Sequence, residues 1–406
     1  MTLTVRVLAG LVAGFALGLL LVELSPGAAD FAGRILAPVG AIFVNLIRMT
    51  AIPLVASMLV ASLGGMSAPA GLGRVTLRAA VISVVLVAMA SAASVLVAAP
   101  VLAHVVDPGA VDALKASTSG AAAAPARPPS VAEWFVGLVP QNVVQAAADG
   151  AMLPVILFAV LFGLALGQLP DERRSAVLKV AEGVAEVVQR MVSWILQIAP
   201  VGVCALAVPL AARFGASFAG AALAYVGLVV VMTVVAVLVV LYPAGLAWGR
   251  MRPAAFAAYL APAQAIAFAS RASLASLPAA IASAEREGLA PGLSRFVLPI
   301  AVSVFHFGAA VAQTVGALFL ANLFGVPLSG QALATIVVAV VLATYAVPSI
   351  PGGSIITLVP VLTAAGIPVE GIGILLALDT IPDMFRTMAN LTGAMTLAAI
   401  LPGTRR

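Results

Sequence analysis

Residues Asp379–Ala394 read D-T-I-P-D-M-F-R-T-M-A-N-L-T-G-A. They lie in a long apolar stretch near the C-terminus. No charged residue occurs between Phe296 and Val369, and after Arg386 the next is Arg405. Asp379, Asp383, Arg386, Thr387 and Asn390 recur at i, i+4, i+7, i+8 and i+11, the spacing that places all five on one stripe of an α-helix. Ionisable groups at membrane depth are expensive and face a partner or a water-filled cavity. Carboxylates, a guanidinium, a hydroxyl and an amide on one face offer complementary partners for a zwitterion that carries an extra carboxylate. The simpler alternative is that the aspartates only neutralise Arg386 inside a helix bundle. Thr387 and Asn390 on the same stripe, Gly393 just beyond it and two interrupted apolar segments before it favour a binding site.

Outward from this stretch, the chain is apolar throughout. Of its 406 residues 63% are hydrophobic and 9% charged, with a mean hydropathy of +1.20. The charged fraction is far below the quarter typical of soluble domains, which makes this a polytopic membrane protein. The net charge of +5 comes from Lys and Arg in short loops, where it sets topology; no basic patch with interleaved aromatics points to nucleic acid. Cys204 stands alone in an apolar run, so no disulfide framework or thiolate cluster is expected. His104 and His306 are too few and too far apart for a zinc site, and no metal or other cofactor is expected.

Apolar segments fall at about 5–24, 31–62, 75–105, 131–168, 181–210 and 216–248, each as long as the ~20 residues needed to span a bilayer. The first, preceded by Arg6, has the length of a signal peptide. It lacks a small-residue cleavage site before a soluble domain, so it reads as a retained helix. Arg6, Arg74, Arg78, Arg173, Arg174, Arg250, Arg252, Arg405 and Arg406 alternate with Glu23, Asp30, Asp107 and Asp112, which places both termini in the cytoplasm. Arg213 stands against that count. Ala110–Ser130, rich in Ala, Pro and Ser, reads as an external linker.

Beyond Arg252 the pattern changes. The segment 254–290 is broken at R-A-S-L-A-S-L-P (Arg271–Pro278), and positive charge flanks it on both sides. A segment that begins and ends on one side of the membrane is re-entrant. The next span, 294–323, holds Phe305-His306-Phe307-Gly308 near its middle. The segment 331–366 is broken at V-P-S-I-P-G-G-S (Val347–Ser354), where two prolines and two glycines preclude a continuous helix. The C-terminal half therefore reads hairpin, helix, hairpin, helix, an inverted repeat of the kind that holds substrate in secondary transporters.

These residues resemble the glutamate transporter homologues, the dicarboxylate/amino acid:cation symporters, over nearly the whole chain. The resemblance rests on Phe43–Met49 with Pro53, Val139-Pro140-Gln141-Asn142, Asp149-Gly150, Leu153-Pro154 and Ala199–Val203. It rests further on the Ser-containing tip Arg271–Pro278, the tip Ile350-Pro351-Gly352-Gly353, and D-x-x-x-D-x-x-R-T-x-x-N from Asp379 to Asn390. It implies an all-α fold of eight transmembrane helices and two re-entrant helical hairpins, assembled as a homotrimer with fixed scaffold and moving transport domains. On that reading 1–70 and 131–215 hold scaffold helices one, two, four and five. Residues 71–106 form transport-domain helix three, 107–130 the extracellular linker, and 216–406 the core of the transport domain. The second hairpin would be the extracellular gate, and the protein would sit in the bacterial inner membrane with an acidic amino acid as its small-molecule partner.

Residue by residue, the resemblance implies that Arg386 clamps the substrate's side-chain carboxylate, a task suited to a bidentate guanidinium. It makes Asp383 the acceptor of the substrate amino group, Thr387 and Asn390 polar ligands, and Asp379 the carboxylate that orients Arg386. Ser273, with Arg271 and the backbone at Ile350 and Gly352, would meet the α-carboxylate. The sodium motif of the seventh helix, N-M-D-G-T in the family, is here Phe305-His306-Phe307-Gly308-Ala309, and the eighth-helix sodium aspartate is Ala394. The first tip also has Ala272 and Leu274 where the family places serines. Phe305, Phe307 and Ala394 supply no side-chain oxygen, so Na⁺ coupling is expected to be weak or absent. His306 is a candidate proton carrier, against a neutral histidine hydrogen-bonded within the transport domain. The expected function is thus secondary transport of aspartate or glutamate by an elevator motion. Proton coupling, uncoupled uptake or residual Na⁺ coupling of dicarboxylates and amino acids are alternatives. An anion channel and an intramembrane enzyme are weaker readings, since no nucleophile elbow or H-E-x-x-H motif accompanies the histidines.

Overall fold

The computed structural model describes residues 3–24, 26–65, 73–105, 136–214, 217–289, 291–348 and 352–401. Every regular element among them is helical, and six segments are long and apolar enough to cross a membrane.

The first three helices, α1 (Leu3–Leu24), α2 (Pro26–Gly64) and α3 (Gly73–Val105), match the expected spans. The segment 131–168 does not form one span. Asn142 accepts the amides of Val144 and Gln145 at 2.9 and 3.2 Å, starting the short α4 (Val143–Ala148). Gly150, at φ +70°, then turns the chain into α5 (Met152–Leu166). An Asx cap and a left-handed glycine close together outweigh the apolar composition around them. The segment 181–210 is longer than expected, since α6 runs from Asp171 to Phe214. Asp171 and Glu172 in its first turn favour the helix N-terminus, so the helix extends through polar turns that hydropathy alone does not count.

α7 (Ser217–Ala236) passes through a π-helical turn at Val237–Leu241 into α8 (Tyr242–Ala247). Pro243 has no N–H to donate one turn back, and the ladder widens just before it. α9 (Pro253–Ser270) ends at Arg271, which is left-handed at φ +54°. A 3₁₀ turn at Ser273–Ser276 then leads into α10 (Leu277–Arg286), which packs back on α9. Pro278 sits in the first turn of α10, where its missing N–H costs nothing.

α11 (Pro291–Val304) and α12 (Phe307–Leu323) are one line interrupted at Phe305-His306. Apolar on every side, α12 is buried along nearly its whole length. α13 (Gly330–Thr344) leads to the second break, after which α14 (Gly353–Ile356) and α15 (Val359–Ala364) return and α15 packs on α13. A 3₁₀ turn (Val369–Gly371) and α16 (Ile372–Leu378) precede α17 (Thr380–Ile400).

The helices pack in two groups. In one, α6 lies against α1 and α2, and α2 against α5. Gly10, Gly14 and Gly18 bring α1 onto the backbone of α6: a Cβ at each would stand 2.3, 2.5 and 2.4 Å from the carbonyl oxygens of Pro200, Cys204 and Val208. Small residues four apart permit such backbone contact in membranes, where apolar surface alone does not drive association. In the other group α12 is surrounded by α3, α7, α13 and α17, with α9 on α17.

Candidate functional site

The stripe on α17 is built as its spacing predicts, with one local difference. Pro382 has no N–H for the Leu378 carbonyl, so the helix is interrupted for one residue at Asp379, which precedes α17 rather than lying inside it. The Asp379 carbonyl still accepts the Asp383 amide at 2.7 Å, keeping the side-chain register. Arg386, 2% exposed, donates both terminal nitrogens to Asp379, Nη1 to Oδ1 at 2.7 Å and Nη2 to Oδ2 at 2.9 Å. Nη2 also bonds Asp383 Oδ1. Asp379 thereby fixes the guanidinium plane in the fork geometry a carboxylate matches.

The second carboxylate oxygen of Asp383 is buried without a hydrogen bond, 4.0 Å from Arg271 Nε on the first tip. The left-handed backbone at Arg271, held by its amide bond to Ala267 O at 2.9 Å, places this side chain over α17. Arg271, Ser273, Asp383, Arg386, Thr387 and Asn390 line one cavity of about 20 Å³ together with His306, Val347, Pro348 and Ser354. Seven of the sequence-predicted residues, His306 included, thus converge with the residues flanking the second break on one point. That volume holds about one water, so the first tip and the residues flanking the second break, Val347, Pro348 and Ser354, close over the stripe.

Gly352 is buried at φ +76° beside this cavity without lining it, and Ile350 lies outside the described residues. Asp379 stands behind Arg386 as its support. His306 is 2% exposed in the two-residue gap between α11 and α12, with Nδ1 3.3 Å from the Val304 carbonyl oxygen. Its position as N-cap offers α12 no side-chain acceptor. Asn390 supplies one instead, taking the Ala309 amide on Oδ1 at 3.0 Å and tying α17 to the start of α12.

Phe305 and Phe307 pack on each other beside Gly393, and Ala394 follows it in the chain. A Cβ on Gly393 would stand 2.9 Å from the Phe305 ring and 3.1 Å from Phe307 Cβ, and all three side chains are buried. Two participants escape a reading of motifs alone. Ser354 faces the cavity from the start of α14, with its hydroxyl lacking a hydrogen-bond partner. Gln313 donates from the centre of α12 to the Ser354 carbonyl at 2.9 Å and the Thr357 hydroxyl at 2.8 Å, anchoring the second tip. An amide in an otherwise apolar buried run is the signal that marks Gln313.

The site's formal charges balance, with Arg271 and Arg386 against Asp379 and Asp383, and its free groups suit a small zwitterion with an added anionic arm. Comparison with known proteins agrees with this chemistry. The family model described as the sodium:dicarboxylate symporter family matches residues 3–403. The proton/glutamate-aspartate symporter of Escherichia coli K12 is 30% identical over 373 residues, covering 89% of this chain and 83% of its own. The proton/sodium-glutamate symport protein of Bacillus subtilis is 29% identical over 90% of this chain and 85% of its own. A C4-dicarboxylate transport protein of Anaeromyxobacter is 28% identical over 89% of this chain and 82% of its own. The helical architecture, the site on α17 and these full-length matches agree: the chain belongs to the sodium:dicarboxylate symporter family.

Proposed function

We propose that this protein is a secondary transporter of acidic amino acids, with C4-dicarboxylates as related substrates, in the bacterial inner membrane. One observation carries the reading: Arg386, clamped by Asp379, and Asp383 meet the first tip and the residues flanking the second break in a single buried cavity. Arg386 receives the side-chain carboxylate, Asp383 the ammonium, and Thr387, Asn390 and Ser273 the remaining polar atoms. On the family pattern the second tip completes the α-carboxylate site. A cavity of about 20 Å³ admits none of these substrates until one side withdraws, and the Pro- and Gly-containing second hairpin is the gate on this reading.

The whole site lies on the helix group around α12, and none of its residues comes from α1, α2, α5 or α6. That division supports an elevator: the first group, as a trimeric scaffold, stays fixed while the second carries substrate across. On this reading both hairpins are re-entrant and both termini are cytoplasmic.

Sodium coupling is weak or absent, because the buried Phe305, Phe307 and Ala394 offer a cation no side-chain oxygen. Calorimetric titration of purified protein with aspartate, in Na⁺ and in choline, should give affinities within about twofold of each other. A steep Na⁺ dependence would mean that backbone carbonyls suffice for coupling. Asp383→Ala should weaken aspartate by about tenfold or more, the scale of a charge-assisted bond, while succinate, which has no amine, loses much less. Equal losses for both ligands would remove the amino-group role.

A further inference from the structure

We infer that His306 is the coupling site, taking up a proton as an acidic substrate binds and releasing it with that substrate. The inference rests on the proposed binding of acidic amino acids at the α17 cavity. His306 lines that cavity with Asp383 and Arg386 and is itself buried. Its Nδ1 stands 3.3 Å from the carbonyl oxygen of Val304, and the Thr344 backbone also neighbours the ring. Nε2 is buried and makes no hydrogen bond. Most buried polar atoms have a partner, so a ring nitrogen turned to this cavity without one within the protein is suited to a proton or a ligand.

Charge balance gives the proton its role. The charged groups facing His306 are Asp383 and Arg386 on α17, with Asp379 behind them, and Arg271 on the first tip. Other titratable groups nearby are phenols. Tyr345, next to the Thr344 backbone that neighbours the ring, shares a 2.9 Å hydrogen bond with Ser83, and Tyr225 lies beside the Asp379–Arg386 pair. α12 carries no charged residue. The two arginines and two aspartates cancel, so an amino acid with two carboxylates and one ammonium brings one uncompensated negative charge into a closed, buried site. Burying unpaired charge is strongly unfavourable. Phe305, Phe307 and Ala394 leave no oxygen cage for a balancing cation, whereas a proton on Nε2 restores neutrality beside the substrate.

By linkage, a ligand whose binding takes up a proton loses affinity as pH rises, by up to about tenfold per pH unit. The test is calorimetry on the full chain in nanodiscs, with aspartate at about pH 8, above the ordinary histidine range, in buffers of different ionisation enthalpy. The wild type should show an apparent enthalpy that varies with the buffer, with a slope near one proton per aspartate. His306→Gln and His306→Asn, checked for folding by thermal melting, should bind more weakly with slopes near zero and affinity flat with pH. A wild-type slope of zero, or a slope that persists in both variants, overturns the inference and leaves the transporter reading standing. Failure of aspartate, glutamate and succinate all to bind removes that reading, and the inference with it.

Discussion

Arg386→Ala is expected to abolish binding of aspartate, glutamate and succinate alike, the largest single loss at this site. A fork-geometry guanidinium on a desolvated carboxylate is worth several kcal/mol; truncating one partner of such a pair costs about 2–5 kcal/mol, or roughly 30- to several-thousand-fold in affinity. Arg386→Lys keeps the charge but loses the planar fork that Asp379 aligns, so it should recover only part of the loss. Truncation also strands Asp379 and Asp383 as buried carboxylates, a destabilisation of about 3–5 kcal/mol that could by itself mimic loss of function.

The decisive variant is therefore Arg386→Met combined with Asp379→Asn, which removes the pair together at similar volume and leaves Asp383 opposite Arg271. If the pair only neutralises itself inside the bundle, this variant melts near the wild type and still binds aspartate. If Arg386 is the carboxylate clamp, it melts near the wild type and binds nothing measurable. Retained aspartate affinity in any folded variant lacking the guanidinium would end the assignment.

Much of this site is legible in the sequence because its elements are local. The i, i+4, i+7, i+8, i+11 stripe survives even the interruption at Asp379, since the Asp383 amide still reaches the Asp379 carbonyl and keeps the register. The first tip is legible from Arg271–Pro278, although Pro278 begins the returning helix rather than breaking one. What periodicity does not reveal is long-range. The Asn390 bond to the Ala309 amide joins residues 81 apart, and Gln313 reaches Ser354 across 41. The stripe of Gly10, Gly14 and Gly18 is visible in the sequence, but its role appears only when the carbonyls of α6 are seen against it. Hydropathy also misjudged element lengths where caps and charges decide them, splitting 131–168 at Asn142 and Gly150 and carrying α6 back to Asp171.

Joining the two helix groups covalently is expected to stop transport while sparing substrate binding. Besides packing of α16 on α1 and α6 and of α15 on α2 and α5, the groups are bridged by Arg48 of α2 and Glu370, whose nitrogen and oxygen stand 2.9 Å apart. Both side chains are about half exposed, at 44% and 51%, beside a crevice of about 530 Å³ between the groups. An ion pair so open to solvent contributes about 0–1 kcal/mol, so it can mark a docked position without resisting its release. This suits an interface that must slide. Cysteines replacing Arg48 and Glu370, in a Cys204→Ala background, can be bridged by a short bifunctional thiol reagent that spans the former side chains. Bridged protein in proteoliposomes should lose nearly all aspartate uptake, and a reductively cleavable linker should restore it on reduction. Aspartate affinity in detergent should change by less than about threefold, because no residue of the α17 cavity lies on the bridged helix α2. Uptake that continues at full rate with the bridge closed would mean that the two groups do not move past each other, and the elevator reading would fall while the substrate assignment remained.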